Sequence, residues 1–291
     1  MQVPAPVEYE RAASVDDALS LLERHGPDSR LIAGGHSLLP MMKLRLARPT
    51  VLIDINDLTD LSYVRLEQNE LCVGAMTRHR DLLNSPLVVE HFPIMRDAER
   101  VIADPIVRNR GTVGGSLCQA DPSEDLSAVF AAVKARAVIR SASGARTIPM
   151  DDFFQGPYST AVGPAEILVE LRVAIRPGCG SAYEKVERRV GDWAVTAAGA
   201  SLWVEGGQIA QAGIGLAAVG AEHFRAPEAE ASLVGSAPTE QAFRTASDLA
   251  AQHANPVSDQ RGPADYKRHL VGELTIRALR RAAARATGQE G

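Results

Sequence analysis

Apolar and polar positions divide the chain into short, distinct segments. Ser14, Val15, Asp16 and Asp17 make a capping-box pattern ahead of Ala18, Leu21 and Leu22, whose spacing predicts one amphipathic helix face. Gly26 and Pro27 stop that helix. Apolar runs at 30–33, 50–55 and 70–76 predict short strands, and the first of them leads into two consecutive glycines. Thr77 can cap the segment that follows, and Pro93 suits the first turn of a helix burying Ile94, Ala98, Val101 and Ile102. A further apolar helix carries Leu126, Val129, Phe130 and Val133. Strands are predicted at 137–140 and 167–174, separated by the turn-rich stretch 151–164.

The run Arg176, Pro177, Gly178, Cys179, Gly180 is loop-like and marks a domain boundary. Beyond it, 181–189, 195–204 and 208–219 predict strands, the last two joined across Gly206 and Gly207, a hairpin-type dipeptide. Helices are predicted over 240–253 and 263–285. Strands followed by helices predict an α+β second domain with helices on one sheet face.

Composition narrows the function classes. A chain of 291 residues has room for two domains, and 45% hydrophobic content with only 4% aromatic means that aliphatic side chains fill the cores. A net charge of −5 offers no electrostatic case for nucleic acid or an anionic membrane. The N-terminal residues lack a secretory pattern and no apolar run reaches the roughly 18 residues of a membrane span, so a cytoplasmic location is expected. Cys72, Cys118 and Cys179 are too scattered for a disulfide framework or a CxxC metal pair, so any iron–sulfur ligands must come from another chain. The seven histidines show no metal-binding spacing, and no protein metal site is expected.

The candidate chemistry lies in glycine pairs. Ala33, Gly34, Gly35, His36 and Ser37 could hold a pyrophosphate with backbone amides and the Ser37 hydroxyl, or form an ordinary turn between strands. Thr112, Val113, Gly114, Gly115 and Ser116 repeat the device, and two such loops favour a ligand with two linked phosphates. Neither loop has the ending of a P-loop, and the first lacks the second glycine of a hydrolase nucleophile elbow. Asp121 and Asp125 follow the second loop; Asp125 could accept from ribose or ribityl hydroxyls or simply cap a helix. Gly213, Ile214 and Gly215 match a relaxed dinucleotide fingerprint but sit in a strand-like run, and are read as a core strand. Lys185 belongs to an alternating run, and Trp193 reads as a domain-interface anchor or a cofactor contact.

Together, the stretches 33–43, 102–105, 111–116, 183–189, 191–194 and 261–266 resemble the FAD-binding medium subunits of the molybdenum hydroxylases, the family of xanthine and aerobic carbon monoxide dehydrogenases. The resemblance runs from Tyr9 to the last helix and is greatest to the carbon monoxide dehydrogenase branch. It implies an α+β chain: a PCMH-type FAD-binding domain over 1–177, with subdomains of about 1–56 and 57–177, followed by a C-terminal α+β domain over 178–291 with an antiparallel sheet and helices.

The resemblance also implies the cofactor site. FAD would be held by Ile32, Ala33, Gly34, Gly35, His36 and Ser37, by Ile102 and Ala103, and by Thr112, Gly114, Gly115 and Ser116. Asp125, with Asp121 nearby, would meet the ribityl or ribose hydroxyls; Leu168 and Lys185 would lie by the isoalloxazine, and Trp193 would shield it. Two positions depart from the family: Ser116 stands where many members have Asn, and Trp193 where the carbon monoxide dehydrogenase branch commonly has Tyr. No catalytic acid or base is implied on this chain. The molybdenum cofactor would reside on a large partner and two two-iron two-sulfur clusters on a small one, in a dimer of heterotrimers. Electrons would leave to a quinone or oxygen, with the complex in the cytoplasm or at the inner face of the membrane. A related hydroxylase acting on an aldehyde or N-heterocycle, or a self-sufficient flavin oxidase, is the alternative.

Overall fold

The computed structural model describes residues 3–289. The first unit contains β1 (Glu8–Arg11), α1 (Val15–His25), β2 (Ser29–Ile32), α2 (Leu38–Lys43) and β3 (Val51–Asp54). Its strands form a parallel sheet in the order β1-β3-β2. α1 carries the chain from β1 to β2 on the far side of β3, burying Val15, Ala18, Leu19, Leu21 and Leu22, and the segment with α2 returns it to β3 between them. The capping box forms: Ser14 Oγ accepts from the Asp17 amide at 3.0 Å, and the Asp17 carboxylate accepts from the Ala13 amide at 2.8 Å.

The second unit opens with β4 (Val64–Glu67) and β5 (Glu70–Gly74) and then runs through six short helices. These are α3 (His79–Asn84), α4 (Pro86–His91), α5 (Pro93–Glu99), α6 (Pro105–Arg108), α7 (Val113–Gln119) and α8 (Asp125–Ala132). It continues with β6 (Arg136–Ser141), β7 (Gly144–Pro149), α9 (Met150–Phe153), a small hairpin of β8 (Phe154–Gly156) and β9 (Ser159–Thr160), and β10 (Ile167–Ala174). An antiparallel sheet, β4-β5-β10-β6-β7, forms one wall. Leu71, Val73, Ile139 and Leu171 of the sheet share one core with Ile94, Leu117, Leu126 and Phe130 of the helices.

The third unit has β11 (Cys179–Val186), β12 (Thr196–Glu205) and β13 (Gln208–Ala217) in an antiparallel meander, then α10 (Pro227–Leu233), α11 (Glu240–His253) and α12 (Ala264–Ala286). Its own helices cover one face, where Ala200, Leu202, Ile214 and Leu216 meet Val271, Leu274 and Leu279. The other face is taken by α8 of the second unit. A Cβ on Gly213 or Gly215 would overlap the carbonyl oxygens of Ala132 and Ala128, so these glycines let a helix lie directly on a strand. The glycine fingerprint of the sequence is therefore a packing surface within β13.

Some expectations shift. The helix predicted to bury residues through Ile102 ends at Glu99, and Ala103 turns the chain with φ +48°. Thr77 does not cap α3: its hydroxyl donates to the Tyr63 carbonyl at 2.8 Å and accepts from the Tyr63 amide at 3.1 Å. The strand predicted to reach 189 ends at Val186, freeing 187–193 as a loop. Elements such as β1, β4, α2, α6 and α7 span only four to seven residues, too few to print a period. Among the described residues, no helix is long and apolar enough to cross a membrane.

Replacing Gly215 with Val should force α8 off β13 and cost about 3 kcal/mol. A drop in the urea midpoint and in the melting temperature of the whole chain is the expected reading, and unchanged unfolding would contradict the direct helix-on-strand contact.

Candidate functional site

The first glycine loop connects β2 to α2 and leaves backbone donors unused. The amides of Gly34, Gly35, His36, Ser37 and Leu38 have no acceptor among the described residues; the next amide, that of Leu39, bonds the Gly35 carbonyl at 3.0 Å. Gly35 has φ +77°, a left-handed conformation natural only to glycine, and a Cβ there would press the Leu39 side chain at 3.0 Å. A short run of free N–H groups at a half-buried turn is a cradle for an anion. A phosphate would complete the hydrogen bonds that the chain leaves open.

The second loop works differently. Its amides are already engaged: Val113 bonds the Thr77 carbonyl at 2.9 Å, Gly114 the Ala75 carbonyl at 2.8 Å, Gly115 the Thr112 hydroxyl at 3.1 Å and Ser116 the Thr112 carbonyl at 3.0 Å. Thr112 is thus the N-cap of α7. A Cβ on Gly114 would stand 2.7 Å from that of Ala75, so this glycine serves close packing. Ala75 in turn bonds the Val169 carbonyl of β10 at 2.9 Å, which links the loop to the strand carrying Leu168. The two loops also abut: a Cβ on Gly34 would overlap the Arg110 carbonyl, and one on Gly115 would come within 4.0 Å of that of Ala33.

Two residues with no local signature tie the loops together. Asn56 donates to the Ala33 carbonyl at 2.7 Å and to Asp54 at 2.6 Å, and accepts from Arg78 at 2.9 Å. Arg78 also donates to the Arg110 carbonyl, and its guanidinium pKa is lowered by burial and by the nearby Arg110 charge. Beneath the second loop, Ser116 Oγ lies 3.1 Å from His79 Nε2, and His79 Nδ1 lies 2.9 Å from Glu99. His79 and Glu99 are both buried. These partners are 20 to 37 residues apart in sequence, so no spacing rule could have found them.

The carboxylates after the second loop divide their roles. Glu124 caps α8, accepting from the amides of Leu126 at 2.8 Å and Ser127 at 2.7 Å; its burial pushes its pKa up to about 7. The capping role considered for Asp125 therefore falls one residue earlier. Asp125 instead accepts from Tyr183 Oη at 2.8 Å and Lys185 Nζ at 3.0 Å. Burial raises the Asp125 pKa, with Lys185 and Tyr183 opposing it. Lys185, its side chain 2% exposed, also donates to the Val101 carbonyl at 3.0 Å, so its ammonium is held inside the fold. Asp121 faces outward and accepts from Tyr158 at 3.1 Å and from the Ser123 amide at 2.9 Å.

The remaining predicted residues divide between rim and core. Gly191, at φ +78°, packs on the Ala103 carbonyl, bringing the 187–193 loop against the turn that carries Ile102 and Ala103. Trp193 on that loop is 44% exposed, so it is no buried domain anchor. Leu168 is buried in the sheet core. The structure thus gathers the two glycine loops at one place, joins the Ala103 turn to the Trp193 loop, and couples Asp125 to Lys185.

An anion cradle of free amides at the edge of a small parallel sheet, beside a second glycine loop, fits a diphosphate-bearing cofactor and is the arrangement of a nucleotide-cofactor-binding protein. The sequence profile described as the FAD binding domain in molybdopterin dehydrogenase matches residues 5–174, and that of the CO dehydrogenase flavoprotein C-terminal domain matches 181–282. The chain belongs to this family of FAD-binding molybdopterin dehydrogenase subunits, and FAD is its cofactor. It is 42% identical over 284 residues to the carbon monoxide dehydrogenase medium chain of Hydrogenophaga pseudoflava, covering 97% of this chain and 99% of that one. The glyceraldehyde dehydrogenase medium chain of Sulfolobus acidocaldarius is 36% identical, with 96% and 99% covered. Among solved structures, carbon monoxide dehydrogenase from Hydrogenophaga pseudoflava superposes with a TM-score of 0.93 at 44% identity, covering 97% of this chain and 99% of that one. Quinoline 2-oxidoreductase from Pseudomonas putida 86 gives 0.88 at 33%, covering 99% and 100%.

Removing the ammonium partner of Asp125 by Lys185→Met should leave a buried carboxylate near the Glu187 charge, with only the neutral Tyr183 hydroxyl still donating to it. The expected loss is about 3–5 kcal/mol of unfolding free energy. Chemical denaturation checks it, and a loss under 1 kcal/mol would mean that water already reaches Asp125.

Proposed function

We propose that the chain is the FAD-carrying electron-transfer subunit of a molybdenum hydroxylase complex of the aerobic carbon monoxide dehydrogenase kind. The observation that carries this reading is the end-to-end match to carbon monoxide dehydrogenase medium chains, both in sequence and in fold. In this reading a large partner holds the molybdenum cofactor, a small partner holds two two-iron two-sulfur clusters, and two such trimers pair. The acceptor is a quinone or oxygen, and the complex works in the cytoplasm or against the inner face of the membrane.

Bound FAD supplies the redox chemistry, and the protein supplies its grip, orientation and surroundings. The free amides of 34–38 and the Ser37 hydroxyl hold the pyrophosphate, with Ile32, Ala33 and His36 shaping that turn. Thr112, Gly114 and Gly115 fix the second loop so closely that Ser116 stands at the cofactor. The Ile102–Ala103 turn and Trp193 border the isoalloxazine, Trp193 shielding it from water. Asp121 and Asp125 border the ribityl and ribose hydroxyls, while Leu168 and Lys185 support the ring from inside the fold. No side chain of this chain is assigned to move a substrate proton, because the substrate reacts on another subunit.

Purifying the native complex tests the reading directly. Large and small partners should accompany the chain, and carbon monoxide should reduce an artificial acceptor. Turnover of an aldehyde or an N-heterocycle in its place would assign the chain to another branch of the family. Gly35→Val should cut flavin content by at least tenfold, since valine rarely adopts φ +77°; normal yellow protein would refute the cradle. Trp193→Ala should retain FAD but change flavin fluorescence, and an identical spectrum would remove Trp193 from the ring's surroundings.

A further inference from the structure

The Ser116–His79–Glu99 chain is a hydrogen-bond relay that nothing in electron transfer requires. Ser116 Oγ meets His79 Nε2 at 3.1 Å, and His79 Nδ1 meets both oxygens of Glu99 at 2.9 and 3.1 Å. The ring is held in plane by more than Glu99. The His79 amide donates to the Gly111 carbonyl at 3.2 Å, and a Cβ on Gly111 would come within 2.7 Å of His79 Cδ2. His79 and Glu99 are buried at 3% and 0% exposure, while Ser116 is half-buried at the loop surface. The relay therefore runs from the protein interior to the loop beside the amide cradle.

Proton counting fixes what Ser116 can do. When the His79–Glu99 pair holds one proton beyond its fully deprotonated form, Nε2 carries a hydrogen and donates to Ser116 Oγ. This holds whether the extra proton is on the imidazole or on the carboxyl, because in either case it occupies the Nδ1–carboxyl contact. The Ser116 hydroxyl hydrogen is then free to point at a phosphate. When the pair loses that proton, Nδ1–H donates to the carboxylate and Nε2 becomes an acceptor. Ser116 must then spend its hydrogen on His79 and turn lone pairs outward, while the pair acquires a net negative charge.

We propose that the His79–Glu99 pair is a positioning switch that sets Ser116 as a donor to the FAD pyrophosphate, so that FAD and one proton bind together. The proposal rests on the reading of the second loop as a cofactor contact. Burial alone would push the His79 pKa down, but Glu99, together with Glu124 and Asp125 at the start of α8, outweighs it and raises the pKa above the usual 6.5. Burial also raises the Glu99 pKa, opposed by His79 and by Arg108 of α6. Both shifts favour the singly protonated pair at neutral pH. Affinity should then be greatest at and below neutral pH, and fall as pH rises through the raised His79 pKa.

The experiment is an FAD titration of the full-length apoprotein by flavin fluorescence between roughly pH 6 and 9. The wild-type dissociation constant should weaken about tenfold across that range, the scale of one hydrogen bond to a charged group. Ser116→Ala should bind about tenfold more weakly at pH 6 and show a clearly shallower profile, converging on wild type at pH 9. Glu124 also titrates near neutrality, and its contribution, like that of the charge on the His79–Glu99 pair, survives Ser116→Ala, so the relay is read as the difference in slope between wild type and this variant; equal slopes overturn it. A flat wild-type profile overturns it as well. Unchanged affinity of Ser116→Ala at pH 6, with Gly35→Val still abolishing binding, removes Ser116 from the cofactor while leaving the first cradle intact. Loss of neither would instead overturn the cofactor reading of both loops.

Discussion

The structure depends on backbone meeting backbone without a side chain between. Gly34 rests on the Arg110 carbonyl, Gly114 on Ala75, Gly191 on Ala103, and Gly213 and Gly215 on the carbonyls of α8. Each contact joins segments far apart in sequence, and each disappears if a methyl group is inserted. The first two hold the glycine loops together, the third joins the 187–193 loop to the Ala103 turn, and the last pair fixes the third unit against the helix whose first residue is Asp125. Cofactor geometry and interdomain packing are therefore set by the same device. A loop whose amides must face a ligand cannot also be held by those amides, so its position has to come from neighbours packed hard against it.

That division explains why the two glycine loops are not equivalent. In the first, five amides remain open while Asn56, itself held by Arg78, grips the loop through the Ala33 carbonyl. In the second, every amide from Val113 to Ser116 is used inside the protein. The first loop therefore has donors to offer a ligand, and the second is held by its own amides. Buried ionisable groups extend this hold: His79–Glu99 lies under Ser116, and Asp125–Lys185 joins the second unit to the third. Such pairs contribute little net stability over an apolar core, but they fix where polar atoms point.

The fold class and most of the longer elements were legible in the sequence, because β10, β12, β13, α11 and α12 are long enough to carry a period or a sustained apolar run. The first glycine loop was legible too, since Gly34 and Gly35 mark close approach and positive φ. Local pattern could not reveal that Gly213 and Gly215 receive α8, nor that the second loop has no free amides. Those facts depend on Ala75, Ala128 and Ala132, whose relevance exists only after folding. Asn56, Arg78, His79 and Glu99 were invisible for the same reason. The choice between cap and acceptor for Asp125 stayed open in the sequence because Glu124 and Asp125 are adjacent carboxylates, and only backbone geometry decides which one reaches the amides of Leu126 and Ser127.

The placement of charge also argues for a relay subunit and against a self-contained catalyst. A general acid or base must combine a shifted pKa with access to a reacting atom. The shifted groups near the site are Glu99, Glu124, Asp125 and His79, all buried and each already satisfied by a named partner. Access belongs instead to the loop amides and to side chains such as Ser116, Trp193, His36 and Asp121. The interior stores the shifted ionisable groups, and the first loop presents hydrogen-bond donors. An FAD-holding chain needs that arrangement, because the protein must fix the cofactor firmly while leaving the chemistry of electron uptake and release to the cofactor itself.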